Sequence, residues 1–203
     1  MQNDRQLSEQ EMQRKGRKVF LLMLIFFIVP IFVVILMYQL NWKPSGISLG
    51  ELVTPPRLLN NPADLKNSDL TALTPKLWKE RWSIVYVADD CQKACMEKLH
   101  DMRQLHVSLY KDIVRTQRVL ITTTQDVSEI KHNYPDLIII NQPVAGVSNL
   151  AEQFQINGEN VMMSDRLYLV DPLGHLMMSY QSSLPLADVR KDITRLLRYS
   201  WAG

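Results

Sequence analysis

The chain is poor in the residues that staple, punctuate or charge a protein strongly. Of its 203 residues only two are cysteine and seven are glycine. With Cys91 and Cys95 alone, a multi-bridge disulfide framework is excluded. No low-complexity run and no internal repeat occurs, which excludes collagen-like, linker-like and solenoid classes. The formal net charge is +2. There is no basic stripe, so nucleic acid is not an expected partner. Also missing are a Ser/His/Asp arrangement, a phosphate-binding loop and a paired-carboxylate motif.

One long stretch does lack something informative: Val19 to Leu40 (VFLLMLIFFIVPIFVVILMYQL) carries no charge. At about 1.5 Å per residue it spans a hydrocarbon core of about 30 Å, so the lipid bilayer is an expected partner. Pro30 removes one backbone hydrogen bond, which membrane helices tolerate with a kink. Tyr38 and Trp42 stand at the far end, where amphipathic rings favour headgroups. Arg14, Lys15, Arg17 and Lys18 precede the span and only Lys43 follows closely, which puts the N-terminus in the cytoplasm. A cleaved signal would have an apolar region of about 7–15 residues and a small-residue cleavage site. This run is longer and MYQLNWKPSG offers no A-x-A, so an uncleaved anchor is expected. The acidic, polar opening MQNDRQLSEQE does not read as a transit peptide. A bacterial inner-membrane protein, single-pass, with a periplasmic C-terminal domain is the expectation, and disulfides persist in that compartment.

The expected organisation is a basic tail over 1–18, a span over 19–40, a linker over 41–69 and a folded domain over 70–203. Pro44, Gly46, Gly50, Pro55, Pro56 and Pro62 interrupt the linker. Trp82 to Ala88 (WSIVYVA) reads as a buried strand. Asp89 and Asp90 end it, and Asp90 can cap a helix over about 91–109. Cys95, Leu99, Met102, His106 and Leu109 fall on one face of that helix. Strands follow at about 118–123 and 137–140, with helical pattern at 127–134 and 147–154. RLYLV (166–170), the turn DPLG (171–174) and 176–180 form a hairpin. A last helix over 186–199 buries Leu186, Val189, Ile193, Leu196 and Leu197. This β-α-β-α-β-α-β-β-α order argues for an α/β fold: a parallel sheet with an antiparallel hairpin edge, the thioredoxin-like layout.

Cys91 and Cys95 sit at the first turn of a helix that leaves a strand, and a spacing of four puts both thiols on one face. Ideal helix geometry separates their Cα atoms by roughly 6 Å, near the outer end of the disulfide range. A disulfide therefore needs some distortion, and the reduced pair can instead hold a soft metal such as Cu(I). A structural disulfide or two inert core thiols is the plain alternative. The helix N-terminus lowers thiol pKa values and the two aspartates raise them, leaving the direction open. His106 reads as a satisfied core histidine and His175 as solvent-facing, while His100 and His132 have no ligand spacing. Met162 and Met163 precede the hairpin strand, and a methionine pair is usually packing.

The anchor, the strand WSIVYVADD leading into CQKAC, the motif GELVTPPR and the segment RLYLVDPLGH resemble the Sco/SenC family of cytochrome c oxidase copper-assembly proteins, in a divergent small form. The resemblance runs over most of the chain from Lys18 onward, and C-x-x-x-C is its most specific element. It implies a thioredoxin-like domain that delivers Cu(I) to cytochrome c oxidase or reduces the cysteines of its copper site, with an oxidase subunit or its assembly factors as partner. The family holds copper with the two cysteines and a histidine before the hairpin strand. Cys91 and Cys95 carry over as catalytic and metal-binding residues. The histidine does not, because the matching stretch is NVMMSDRLYLVDP, with Met163 at about its place. The resulting expectation is a Cu(I) site of Cys91, Cys95 and Met163, with Met162 as substitute. A general thiol–disulfide oxidoreductase and a non-catalytic assembly scaffold with a structural disulfide are the rival functions.

Overall fold

A computed structural model describes residues 2–40, 48–61, 65–69, 71–73 and 76–200. Trp42, Lys43, Pro44, Gly46 and Pro62 lie outside them. The chain divides into two compact units, Met1–Ile47 and Ser48–Gly203. The described part of the first holds one helix, α1 (Gln2–Gln39), continuous through Pro30. Its segment Arg14–Gln39 is long and apolar enough to cross a membrane. Apolar side chains from Val19 to Leu36 are exposed all round it, as expected of a helix whose solvent is lipid.

The second unit is built on a seven-stranded sheet. Its strands are β1 (Glu51–Leu58), β2 (Lys66–Asn67), β3 (Trp82–Ala88), β4 (Thr116–Thr122), β5 (Ile138–Gln142), β6 (Leu167–Val170) and β7 (His175–Tyr180), in the order β1-β7-β6-β3-β4-β5-β2. β3, β4 and β5 are parallel, and β6 runs antiparallel to β3. Helices α2 (Lys93–Val107), α3 (Ser128–Asn133), α4 (Val144–Glu152) and α5 (Leu186–Tyr199) connect or follow the strands.

β3 is buried at every residue because both faces of the sheet are covered. Side chains alternate along it. Trp82, Ile84, Tyr86 and Ala88 face a core shared with α2 and α5, while Val85 and Val87 face a second core under α4. The hairpin turn forms as its sequence dictates. Asp171 accepts from the N–H groups of Leu173 and His175 at 2.9 and 2.7 Å, and Gly174 takes the left-handed φ of 92°.

Two sequence expectations change. The stretch read as linker supplies both edge strands of the sheet, β1 and β2. The hairpin is consequently not the edge: β6 pairs with central β3, and β7 is covered by β1. Pro55 and Pro56 suggested a break, but proline is tolerated on an edge strand, and the β1–β7 register shifts between Leu52 and Arg57 around them.

Candidate functional site

The parallel strands β3, β4 and β5 all end on one side of the sheet, and the cysteine pair lies there, beyond Ala88. Ligands of open α/β sheets gather at such carboxyl ends. The β3–α2 connection is tied to the end of β4 by a run of threonines. The Asp89 carbonyl accepts from the hydroxyls of Thr122 and Thr123 at 3.2 and 2.7 Å, and the Thr123 hydroxyl also reaches the Asp89 carboxylate at 2.5 Å. The Cys91 N–H donates to Thr124 Oγ1 at 2.9 Å. Asn141 Nδ2 holds the Thr124 carbonyl at 3.1 Å from β5.

This anchoring keeps Cys91 out of the helix. α2 begins at Lys93, with Gln92 as N-cap and no side-chain capping bond. The expected capping by Asp90 does not occur, because Asp90 lies two residues ahead of the N-cap position. Cys91 and Cys95 form a disulfide with a Cα–Cα distance of 4.9 Å. That is well inside the usual range, so the distortion expected from an i, i+4 pair within one helix is avoided. Only Cys95 belongs to the helix.

The two sulfurs have different surroundings. Cys95 is 3% exposed and packs in the first core with Leu99 and Met102, whereas Cys91 is partly buried at its margin. A partly exposed cysteine beside a buried one is the asymmetry that thiol exchange uses, since the attacking thiol must be reached.

A short 3-10 turn, Val161–Met163, faces the same end of the sheet. Its position follows from register: Tyr86 pairs with Leu167, so the chain entering β6 passes the carboxyl end of β3. The Asp89 N–H donates to the Met162 carbonyl at 3.4 Å, two residues from Cys91. Met162 is half-buried against the second core, while Met163 is 77% exposed. Asp165, with φ at 50°, closes this loop. It accepts from the hydroxyls of Tyr86 and Ser182 at 2.9 and 2.5 Å, and Lys98 stands 3.5 Å away. Burial, then the Asp165 charge, pushes the Tyr86 phenol well above its ordinary pKa, so it remains a donor.

No histidine joins this end. His106 is buried with Nε2 3.3 Å from the Thr116 carbonyl, a core histidine as the helix pattern implied. His175 pairs with Asp171 at 3.2 Å in the hairpin turn, at the opposite end of β6, and is only partly exposed. His100 contacts Gln104 on the outer face of α2. Among the described residues, no three or more of His, Cys, Asp and Glu are grouped to hold a metal. In the sequence nothing gives the threonines, Asn141 or Asp165 a role at this end. TTT after a strand and a lone aspartate before one carry no spacing signal.

A family model described as transmembrane-like, thioredoxin-like, C-terminal domain matches residues 82–200, and the chain belongs to that family. Among solved structures it is similar to copper-bound ScoI of Arabidopsis thaliana, with 14% identity over 76% of this chain and 100% of that one and a TM-score of 0.56. Copper-bound yeast Sco1 gives 18% identity over 78% and 96% of the two chains, with a TM-score of 0.56. BsSco, described with a disulfide switch as a member of the Sco family of cytochrome c oxidase assembly proteins, gives 12% identity over 72% and 96%, with a TM-score of 0.53. At these identities the likeness establishes the shared thioredoxin-like fold. No curated protein matches the chain at the sequence level.

Proposed function

We propose that this member of the transmembrane-like, thioredoxin-like family is a membrane-anchored assembly factor of cytochrome c oxidase that reduces the oxidase's copper-site cysteines. The domain would stand on the periplasmic side of a bacterial inner membrane. The observation that carries the reading is the Cys91–Cys95 disulfide at the carboxyl ends of the parallel strands, with Cys91 partly exposed and Cys95 buried. In the reduced form the Cys91 thiolate attacks a target disulfide and expels one target sulfur as thiolate. The Cys95 thiolate then attacks Cys91 Sγ and releases the second target sulfur. The target gains two electrons, the chain is left as the Cys91–Cys95 disulfide, and a membrane dithiol donor must return it to the reduced state.

A second reading, delivery of Cu(I) as cargo, is favoured by Met163. Its thioether is exposed on the turn bound to Asp89, and two thiolates with a thioether form a soft donor set that suits Cu(I) better than Cu(II). Two of the structurally similar Sco proteins were solved with copper bound.

The test is complementation. Cells lacking this protein should assemble an oxidase with less copper and lower activity, restored by the wild type and not by Cys91→Ser or Cys95→Ser. Full restoration by both serine variants would contradict the proposal. Cu(I) titration of the reduced protein against a competing chelator separates the two readings. Met163→Leu, alone and with Met162→Leu, should weaken binding if Cu(I) is cargo.

A further inference from the structure

Helix α5 turns a charged arc outward. Val189, Ile193 and Leu197 bury one side in the first core. Arg190, Lys191, Arg195, Arg198 and Tyr199 are all exposed, and at about 100° per residue they fall within one half of the helix circumference. No run of basic residues announces this in the sequence, because the cations are spaced by the helical period. The 3-10 turn Tyr110–Arg115 extends the same surface. Lys111 lines one groove with Thr194 and Arg198. The Arg190 guanidinium lies 5.9 Å from the Tyr110 ring centroid and donates from Nε to the Ser108 carbonyl at 3.1 Å.

The surface combines cations with exposed apolar side chains: Tyr110, Val114 and Tyr199 are each more than 70% exposed. Its acids are few. Asp112 is paired with Arg115 at 3.4 Å, and Asp188 is half-buried. Among the described residues Lys111, Lys191, Arg195 and Arg198 enter no ion pair.

The same helix receives the chain that arrives from the anchor. The buried Asp192 carboxylate accepts from Leu49 N–H, Gly50 N–H and Ser48 Oγ at 2.8, 3.0 and 3.1 Å. In sequence, only residues 40–47 lie between α1 and this clamp, a stretch that can span at most about 28 Å. Such a tether gives any lipid contact of α5 a high effective concentration.

We propose that the Arg190–Tyr199 face of α5, with Lys111, Tyr110 and Val114, docks on the anionic phospholipid surface in which the chain is anchored. Cations meet the lipid phosphates, and the tyrosines and valine enter the headgroup layer, where amphipathic groups are favoured. The inference rests on the reading of residues 19–40 as a membrane anchor.

The experiment uses the full chain in nanodiscs of phosphatidylcholine alone, or with roughly a third phosphatidylglycerol to supply the anionic surface. Co-migration with the discs establishes anchoring first; failure to enter them removes the anchor reading and this proposal together. Lysine acylation rates are then read by mass spectrometry, with exposed Lys76 as reference. Lys111 and Lys191 should react at least about threefold more slowly in the anionic discs, and salt that shortens the screening length to about 3 Å should abolish the difference. Arg195→Gln with Arg198→Gln should also abolish it while leaving Cys91–Cys95 reduction unchanged. Equal rates in the two lipids overturn the proposal. So does slowing that ignores both salt and the double substitution, which would indicate contact with a second copy or with α1.

Discussion

Reducing the Cys91–Cys95 disulfide should loosen this domain only slightly. The bridge closes a loop at a sequence separation of 4. Chain-entropy reasoning assigns such a short loop about 2 kcal/mol of stabilisation at 25 °C, mostly by restricting the unfolded chain. Little native packing depends on the bond. Cys95 stays in an apolar cluster with Leu99 and Met102 whether it is thiol or disulfide, and Cys91 remains held by Thr124 Oγ1 through its backbone. Urea unfolding of the oxidised and phosphine-reduced protein, followed by fluorescence of buried Trp78 and Trp82, should give curves of similar slope displaced by about 2 kcal/mol. A variant with Cys91→Ala and Cys95→Ala should not respond to the reductant. Loss of more than about 4 kcal/mol, or collapse of the fold on reduction, would show that native packing does depend on the bond. It would mark the disulfide as a structural staple.

Other outcomes follow from individual groups. Burial lowers the His106 pKa, and the nearby Arg118 charge adds to this against the Thr116 carbonyl bond. The unfolded chain therefore takes up the proton first, so stability is full above about pH 6.5 and falls as pH drops below it, by up to about 1.4 kcal/mol per pH unit; His106→Leu should flatten urea midpoints across that window. Asp192→Ala removes an acceptor shared by Ser48, Leu49 and Gly50. It should cost about 2–3 kcal/mol in urea unfolding and speed proteolysis near residue 48, and an unchanged midpoint would count against the clamp. Arg118 is 1% exposed and is paired with Asp136 at 2.6 Å, so Asp136→Asn should destabilise while Arg118→Met is close to neutral, as thermal scans can show. Alkaline phosphatase fused after Gly203 should be active in cells, and a reporter active only in the cytoplasm should be silent there.

Where sequence periodicity reflects burial, the sequence was sufficient. The hydrophobic spacing of Val189, Ile193 and Leu197 marks α5, and the unbroken apolar run of β3 marks a strand covered on both faces. Asp171 and Gly174 mark the hairpin turn by backbone chemistry alone. β1 was hidden because Pro55 and Pro56 interrupt its pattern, and only the need to cover β7 makes an edge strand there. The cysteines were visible, but their geometry was not. Spacing by four suggests one helix, and only the hydrogen bond from Cys91 to Thr124 decides that the helix starts after Cys91. Arg118, at the start of the expected second strand, lies buried with the Tyr134 ring centroid 5.8 Å away. Long-range partners of this kind have no local signature.

The proposed function requires Cys91 and Cys95 to form a working redox couple. The direct measurement equilibrates the full chain in buffers of graded redox potential and counts free thiols by alkylation and mass spectrometry. A single two-electron transition is expected above about −300 mV, with Cys91 alkylated faster than buried Cys95 in the reduced form. A pair that remains fully oxidised below about −300 mV would be a structural disulfide and would contradict the proposed function.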